Sequence, residues 1–161
     1  MNYHTTISSP LGGILLTADE DGLTGINFQA GKGAKKPPRG SVESAAPFKA
    51  AAQQIDAYFR GELKSFDLRL SPLGTAFQRS VWNALHKIPY GGTISYGELA
   101  KRLGKPTASR AVGAANGRNP LPIVVPCHRV IGGSGQLTGY YGGTHLKEFL
   151  LKLERRVKGE G

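Results

Sequence analysis

Sulfur is nearly absent from this chain, which has one cysteine and one methionine in 161 residues. A lone cysteine excludes an internal disulfide. With histidines only at His4, His86, His128 and His145, no metal-ligand spacing arises either, so no metal is expected. Such cysteine usage fits a reducing, cytoplasmic setting. No run approaches the roughly 18 apolar residues of a membrane span. The opening "MNYHTTISSPLGG" also lacks the charged-then-apolar layout of a secretory signal, so no membrane partner is expected. The glycine-rich "GGSGQLTG" (132–139) does not stand between a strand and a helix with a lysine, which excludes a phosphate loop. Acidic side chains are scarce: Asp plus Glu number 11 against 21 Lys plus Arg, a net charge of +10. Two readings stay open on charge alone, a solvated basic surface or a polyanionic partner held through steering and counterion release.

What is present divides in two. "YHTTI" (3–7), "GGILLTA" (12–18) and "LTGINF" (23–28) are short and rich in β-formers, and the turns between them predict a meander of antiparallel strands. The basic, Gly/Pro-rich stretch at 29–41 reads as a mobile loop; its Lys32, Lys35, Lys36 and Arg39 either touch nucleic acid or stay solvated. Phe48, Ala52, Ile55 and Phe59 predict a helix from Pro47 to Arg60, closed by Gly61. "KSFDLRL" (64–70) alternates as a strand. Beyond it the texture turns helical, which places a boundary near 71–74 between an N-terminal β lobe (1–73) and a C-terminal lobe (74–161). Thr75 and Gln78 form a capping box opening a helix to about Lys87, with Phe77, Val81, Trp82 and Leu85 on its buried side; Ser95 and Glu98 form a second box.

From Ser95 to about Asn116 two short helices flank a Gly-containing turn, a helix-turn-helix pattern. The second is built from Ala108, Ser109, Ala111, Gly113, Ala114 and Ala115, with Arg110 as the one long side chain. A helix that reads the major groove carries several long polar side chains, whereas small residues allow the close approach that a minor groove requires. Arg110 would then enter the groove or the base stack. The alternative is a small-residue helix packed on a neighbour, with Arg110 in a surface ion pair.

The single thiol lies in "IVVPCHRVIG" (123–132). A cysteine becomes a good nucleophile only when a base or a positive field favours its thiolate. His128 is the adjacent base and Arg129 adds positive charge. Neighbours in an extended segment point to opposite sides, so His128 reaches Cys127 only through a sharp turn, for which Pro126 is suited, or through a bridging water. In "HLKEFLLKLERR", Glu154 continues the apolar stripe of Leu146, Phe149, Leu150 and Leu153. A carboxylate there needs a partner: His128, whose tautomer it would fix, or Arg129 or Arg155 in a salt bridge near the surface.

"PCHRV" (126–130), together with "GRNPLPIVV" and "SYGELA...ASRAVGAANGRNP", resembles the O6-alkylguanine-DNA alkyltransferases, most closely from Phe77 to Glu154. The resemblance implies an α+β fold: a ribonuclease-H-like antiparallel β-sheet lobe with a helix, then a helical lobe with a helix-turn-helix and the reactive cysteine. It implies a single-turnover methyltransferase that flips O6-alkylguanine, with O4-alkylthymine left open, from double-stranded DNA and keeps the alkyl group on Cys127. In that reading His128 acts on the thiol through a water and Glu154 orients it. Tyr96 crowds a backbone phosphate and helps protonate the leaving base, and Asn119 braces the hinge. Arg110 takes the place of the extruded base, with Tyr96, Ala108, Ser109, Ala111, Gly113 and Ala114 at the DNA. Val130, Tyr140, Tyr141, Gly142 and Lys147 surround the base pocket. Tyr141 stands where some members carry a serine. No cofactor is implied, and the protein is expected to be a monomer in solution, with assembly on DNA left open. Three competitors remain: a cysteine hydrolase on Cys127, His128 and Glu154, a non-catalytic helix-turn-helix binder of alkylated DNA, and a basic scaffold with an inert cysteine.

Overall fold

Strands β1 (Tyr3–Ile7), β2 (Ile14–Ala18) and β3 (Leu23–Phe28) pair antiparallel in sequence, β1 with β2 and β2 with β3. A two-residue strand β4 (Val42–Glu43) adds to the free edge of β1 in parallel, giving the order β3-β2-β1-β4. The computed structural model describes residues 1–31, 33–133 and 144–160. It forms two compact units, Met1–Leu73 and Gly74–Gly161. The α+β class expected from the sequence is what the chain adopts.

In the first unit the β-formers of the meander supply the core, with Ile14, Leu16 and Ile26 buried. A 3-10 turn (Ala46–Phe48) leads into α1 (Lys49–Phe59), which buries Ala51, Ile55, Tyr58 and Phe59. Residues 64–70 do not form the expected strand. Only Leu70 bridges Leu23, and the Gln54 side chain takes both the N–H and the C=O of Asp67, each at 2.9 Å. A side-chain amide thus substitutes for the missing ladder partner, which no alternation of apolar residues can reveal. Gly22 lets this segment approach: its φ is +152°, and a Cβ there would lie 2.5 Å from the Arg69 carbonyl oxygen. The described residues of the basic stretch after β3 have no regular structure before Val42. It is nevertheless tied to Asn27, which donates to the Gly33 carbonyl (2.9 Å) and accepts from the Lys35 N–H (2.8 Å). Lys32 lies outside the described residues.

The second unit opens at α2 (Ala76–Leu85), capped by Thr75 and Gln78 with both reciprocal hydrogen bonds present. Strand β5 (Ile94–Ser95) runs directly into α3 (Tyr96–Arg102). Here only half of the expected capping box forms. Ser95 accepts from the Glu98 N–H, while the Glu98 carboxylate meets Arg102 one turn on. Helix α4 (Ser109–Gly117) packs on α2 and α3, and the Trp82 indole N–H anchors the Ala115 carbonyl at 2.8 Å. After a 3-10 turn (Cys127–Arg129) comes β6 (Val130–Ile131), parallel to β5, and then α5 (Thr144–Glu160). No helix among the described residues is long and apolar enough to cross a membrane.

Candidate active site

The chain around the thiol is held from both ends. Upstream, the Asn119 side chain donates to the Val125 carbonyl (2.8 Å) and accepts from the Leu121 N–H (3.0 Å). Between those anchors Ile123 sits at φ +75°, a conformation costly for a β-branched residue and tolerated where the surroundings fix it. Downstream, Ile94 pairs with Val130 and Ser95 with Ile131. That short ladder brings Tyr96, the first residue of α3, beside the strand that follows the cysteine turn.

Pro126 then turns the chain into one 3-10 turn, Cys127–Arg129. The sharp turn expected from Pro126 is therefore present, and all three of its side chains are buried. Burial pushes the Cys127 thiol up to about 11, against the weaker opposing pull of an Asn119 hydrogen bond and the Lys147 charge. At neutral pH the resting group is a thiol.

His128 and Glu154 are both fully buried, and Nε2 of the histidine meets a carboxylate oxygen at 2.5 Å. The other ring nitrogen, Nδ1, is buried with no hydrogen-bond partner among the described residues. Two of the three partners considered for Glu154, His128 and Arg129, turn out not to be exclusive. Arg129 grips the same carboxylate through Nε (2.8 Å) and Nη2 (3.1 Å), in the interior and not at the surface. Its Nη1 donates to the Ile88 carbonyl at 2.8 Å, and its guanidinium lies 5.5 Å from the Tyr90 ring centre. A fourth donor to Glu154 is the Gly91 N–H at 3.1 Å. Gly91 can present that N–H from a turn because it holds φ +77°. Burial alone would raise the Glu154 carboxyl, but the His128 and Arg129 hydrogen bonds and charges prevail and hold it well below the usual carboxylate range. Burial lowers His128, with Glu154 acting upward and Arg129 and Lys147 downward.

Lys147 is fully buried on α5, and its ammonium donates to the Val130 carbonyl and lies 5.8 Å from the Tyr96 ring centre. Burial pulls it down to about 8, while the charge of a Cys127 thiolate acts in the opposite direction. Cys127, His128, Glu154, Asn119, Val130, Lys147 and Tyr96 thus form one continuous neighbourhood. Tyr140, Tyr141 and Gly142 lie outside the described residues.

One neighbour had not been singled out. Asn116 is buried near the end of α4, and its amide donates to the Cys127 carbonyl at 3.3 Å. An asparagine inside a helix normally competes with the backbone for hydrogen bonds, so its presence three residues before Asn119 was the available signal.

Helix α4 divides cleanly into two faces. Val112, Ala115 and Asn116 are buried, while Ser109, Arg110, Ala111 and Ala114 are exposed. Gly113 packs under Tyr96: a Cβ there would meet the ring at 3.5 Å. Arg110 makes no ion pair among the described residues. The small residues therefore do more than pack on a neighbouring helix, since several form an open face around one arginine.

Residues 76–156 match the DNA binding domain of 6-O-methylguanine DNA methyltransferase, and residues 2–72 match its ribonuclease-like domain. The chain belongs to the 6-O-methylguanine DNA methyltransferase family. A methylated-DNA–protein-cysteine methyltransferase of Methanosarcina acetivorans is 59% identical over 152 residues, 94% of this chain and 97% of that protein. The crystal structure of the Mycobacterium tuberculosis O6-methylguanine methyltransferase superposes with a TM-score of 0.89 at 48% identity, over 97% of this chain and 94% of that one. A crystal structure of the M. tuberculosis protein OGT in complex with DNA gives a TM-score of 0.89 at 46% identity, over 96% and 94% of the two chains. The shared fold extends through both units, so the methyltransferase family accounts for the β-sheet unit as well as for the helical one.

Proposed function

We propose that this protein repairs alkylated DNA by transferring the alkyl group of O6-alkylguanine, and of O4-alkylthymine in the wider reading, irreversibly onto Cys127. The observation that carries the reading is the buried line from Glu154 through His128 to the turn holding the only cysteine. Relatives named methylated-DNA–protein-cysteine methyltransferase support the same chemistry.

In the reaction the thiol proton passes to His128 Nδ1, through a bridging water, and Glu154 stabilises the imidazolium that forms. The thiolate, favoured by the Lys147 charge, attacks the alkyl carbon in line as the carbon–oxygen bond of the base breaks. Tyr96 relays a proton to the leaving base. The product is a thioether, and with no second cysteine to resolve it, one protein molecule repairs one base.

The exposed face of α4 carries the DNA contact in this reading. Ala108, Ser109, Ala111, Gly113 and Ala114 admit the backbone to the minor groove, and Arg110 fills the gap left by the extruded base. Flipping costs a few kcal/mol and costs least for a lesion that pairs badly, so selection begins before chemistry. Arg110→Ala should therefore slow repair of duplex substrate more than repair of a single-stranded one, measured in single-turnover assays. Equal rates on both would remove the finger assignment. With a net charge of +10, duplex binding should also weaken steeply as salt rises, and a flat titration would contradict an electrostatic contact.

Stoichiometry tests the function itself. Excess duplex carrying a labelled O6-methylguanine should transfer label until one group per protein is reached, then stop. Continued turnover would indicate a hydrolase, and binding without transfer a non-catalytic reader of alkylated DNA.

A further inference from the structure

Arg129 is adjacent to the reactive pair, yet its guanidinium is committed to Glu154 and Ile88. It is therefore not available to act on the thiol directly. We propose that Arg129 is a positioning residue that keeps His128 a neutral base, by supplying the counter-charge to Glu154 that the histidine would otherwise have to supply. This rests on the alkyl-transfer reading of the site.

The proton inventory follows from donors and acceptors. Glu154 takes N–H groups from Gly91 and twice from Arg129, so it is an ionised, acceptor-only carboxylate. Facing it at 2.5 Å, His128 Nε2 must carry a hydrogen. A second proton, on Nδ1, would bury a charged donor without a partner among the described residues, which is costly. It would also place a further cation beside Arg129 and Lys147, with only Glu154 among the described residues to balance them. Among the described residues, the other titratable or charged groups around this cluster are Cys127 on the same turn, Lys147 on α5 with Tyr96 beside it, Tyr90 beside Arg129, Arg156 acting on Tyr90, and His86 at the end of α2. None supplies a second carboxylate. Nδ1 is thus left as an acceptor, the form needed to take the thiol proton. When it does so, the S–H bond breaks, an Nδ1–H bond forms, and Nε2 keeps its hydrogen toward Glu154.

Without the arginine, Glu154 would draw a proton onto His128, and an imidazolium cannot accept another. Two measurements test this. Nitrogen-15 NMR of the wild-type protein, without DNA, should show one protonated and one unprotonated ring nitrogen for His128 at pH 7. Single-turnover transfer should lose rate at acid pH as His128 becomes charged. In Arg129→Gln the midpoint of that loss should move upward by about one pH unit. Arg129→Lys, which restores charge without the fork, should bring the midpoint back even where the rate stays low. A residue with only a structural role would lower rates without moving the midpoint, and that result overturns the proposal. Two protonated nitrogens in the wild-type spectrum overturn it equally, whether or not the variants fold. If the wild type transferred no alkyl group at all, the function would fail while the NMR result still decided the proton state.

Discussion

Cys127→Ala should abolish alkyl transfer completely while leaving duplex binding close to wild type. The thiol is the only one in the chain, and the single methionine is a thioether that cannot form a thiolate. The neighbouring nitrogens are poorer acceptors of an alkyl group: among the described residues only the imidazole Nδ1 of His128 is open, and it is a far weaker nucleophile than a thiolate. His128 Nε2 is engaged by Glu154, and the Lys147 ammonium is engaged by the Val130 carbonyl. The substitution removes one sulfur atom from a buried position and with it the Asn119 hydrogen bond to the thiol, while the main-chain brace stays in place. Asn119 holds the Val125 carbonyl and the Leu121 N–H, and Asn116 holds the carbonyl of residue 127; all are main-chain groups that alanine keeps. The exposed face of α4, where DNA is proposed to bind, contains none of these atoms. Gel-shift titration and single-turnover transfer, run on the same preparation, separate the two effects. Residual transfer by the alanine variant would require another acceptor and would dismantle the mechanism.

Glu154→Gln should be the most damaging change to stability. Arg129 would lose the charge that justifies its burial, and breaking one side of a buried ion pair costs about 3–5 kcal/mol. An amide also cannot accept from Gly91, Arg129 and His128 together while placing its own two N–H groups. Denaturant unfolding of the variant should show a loss of that order. Alkyl transfer should drop about 10²–10⁴-fold, the usual share of a positioned acid–base group.

The pH dependence of stability carries the same signature. His128 and Glu154 each bind fewer protons folded than unfolded, since both are lowered from ordinary values of 6.5 and 4.5. Their contribution is therefore complete above about pH 6.5. It is lost as the pH falls, first as the unfolded histidine protonates below 6.5 and then further below 4.5 as the unfolded carboxylate does. In Glu154→Gln the lower part of that slope should disappear. An unchanged acid profile would mean that the ion cluster does not govern acid stability.

Local chemistry was readable from the sequence wherever it is local. The Thr75–Gln78 box, the three-strand meander and the stripe that carried Glu154 inward all depend on neighbours within a few residues. Ser95 showed the boundary of such reading: its hydroxyl caps α3, but Glu98 has a nearer cation in Arg102. The expected strand at 64–70 failed because its hydrogen bonds go to Gln54 and Leu23, far along the chain. Strands β4, β5 and β6 are two residues each, too short to leave a period.

For the site, residue types and the resemblance named Cys127, His128, Glu154 and Arg110. They did not supply the Gly91 N–H, the Asn116 amide or the simultaneous grip of Arg129 and His128 on one carboxylate. Those contacts join α4, the turn at Gly91, the Cys127–Arg129 turn and α5, and only the folded backbone brings them together.

The most direct measurement is peptide mass spectrometry after one turnover with duplex DNA containing O6-methylguanine. Trypsin cuts after Arg118 and Arg129, releasing Asn119–Arg129 with the lone thiol inside. The account predicts that this peptide gains one methyl group, located on Cys127, in proportion to the lesion consumed. Unmodified Cys127 from folded, DNA-bound protein, or a methyl group elsewhere, would contradict it.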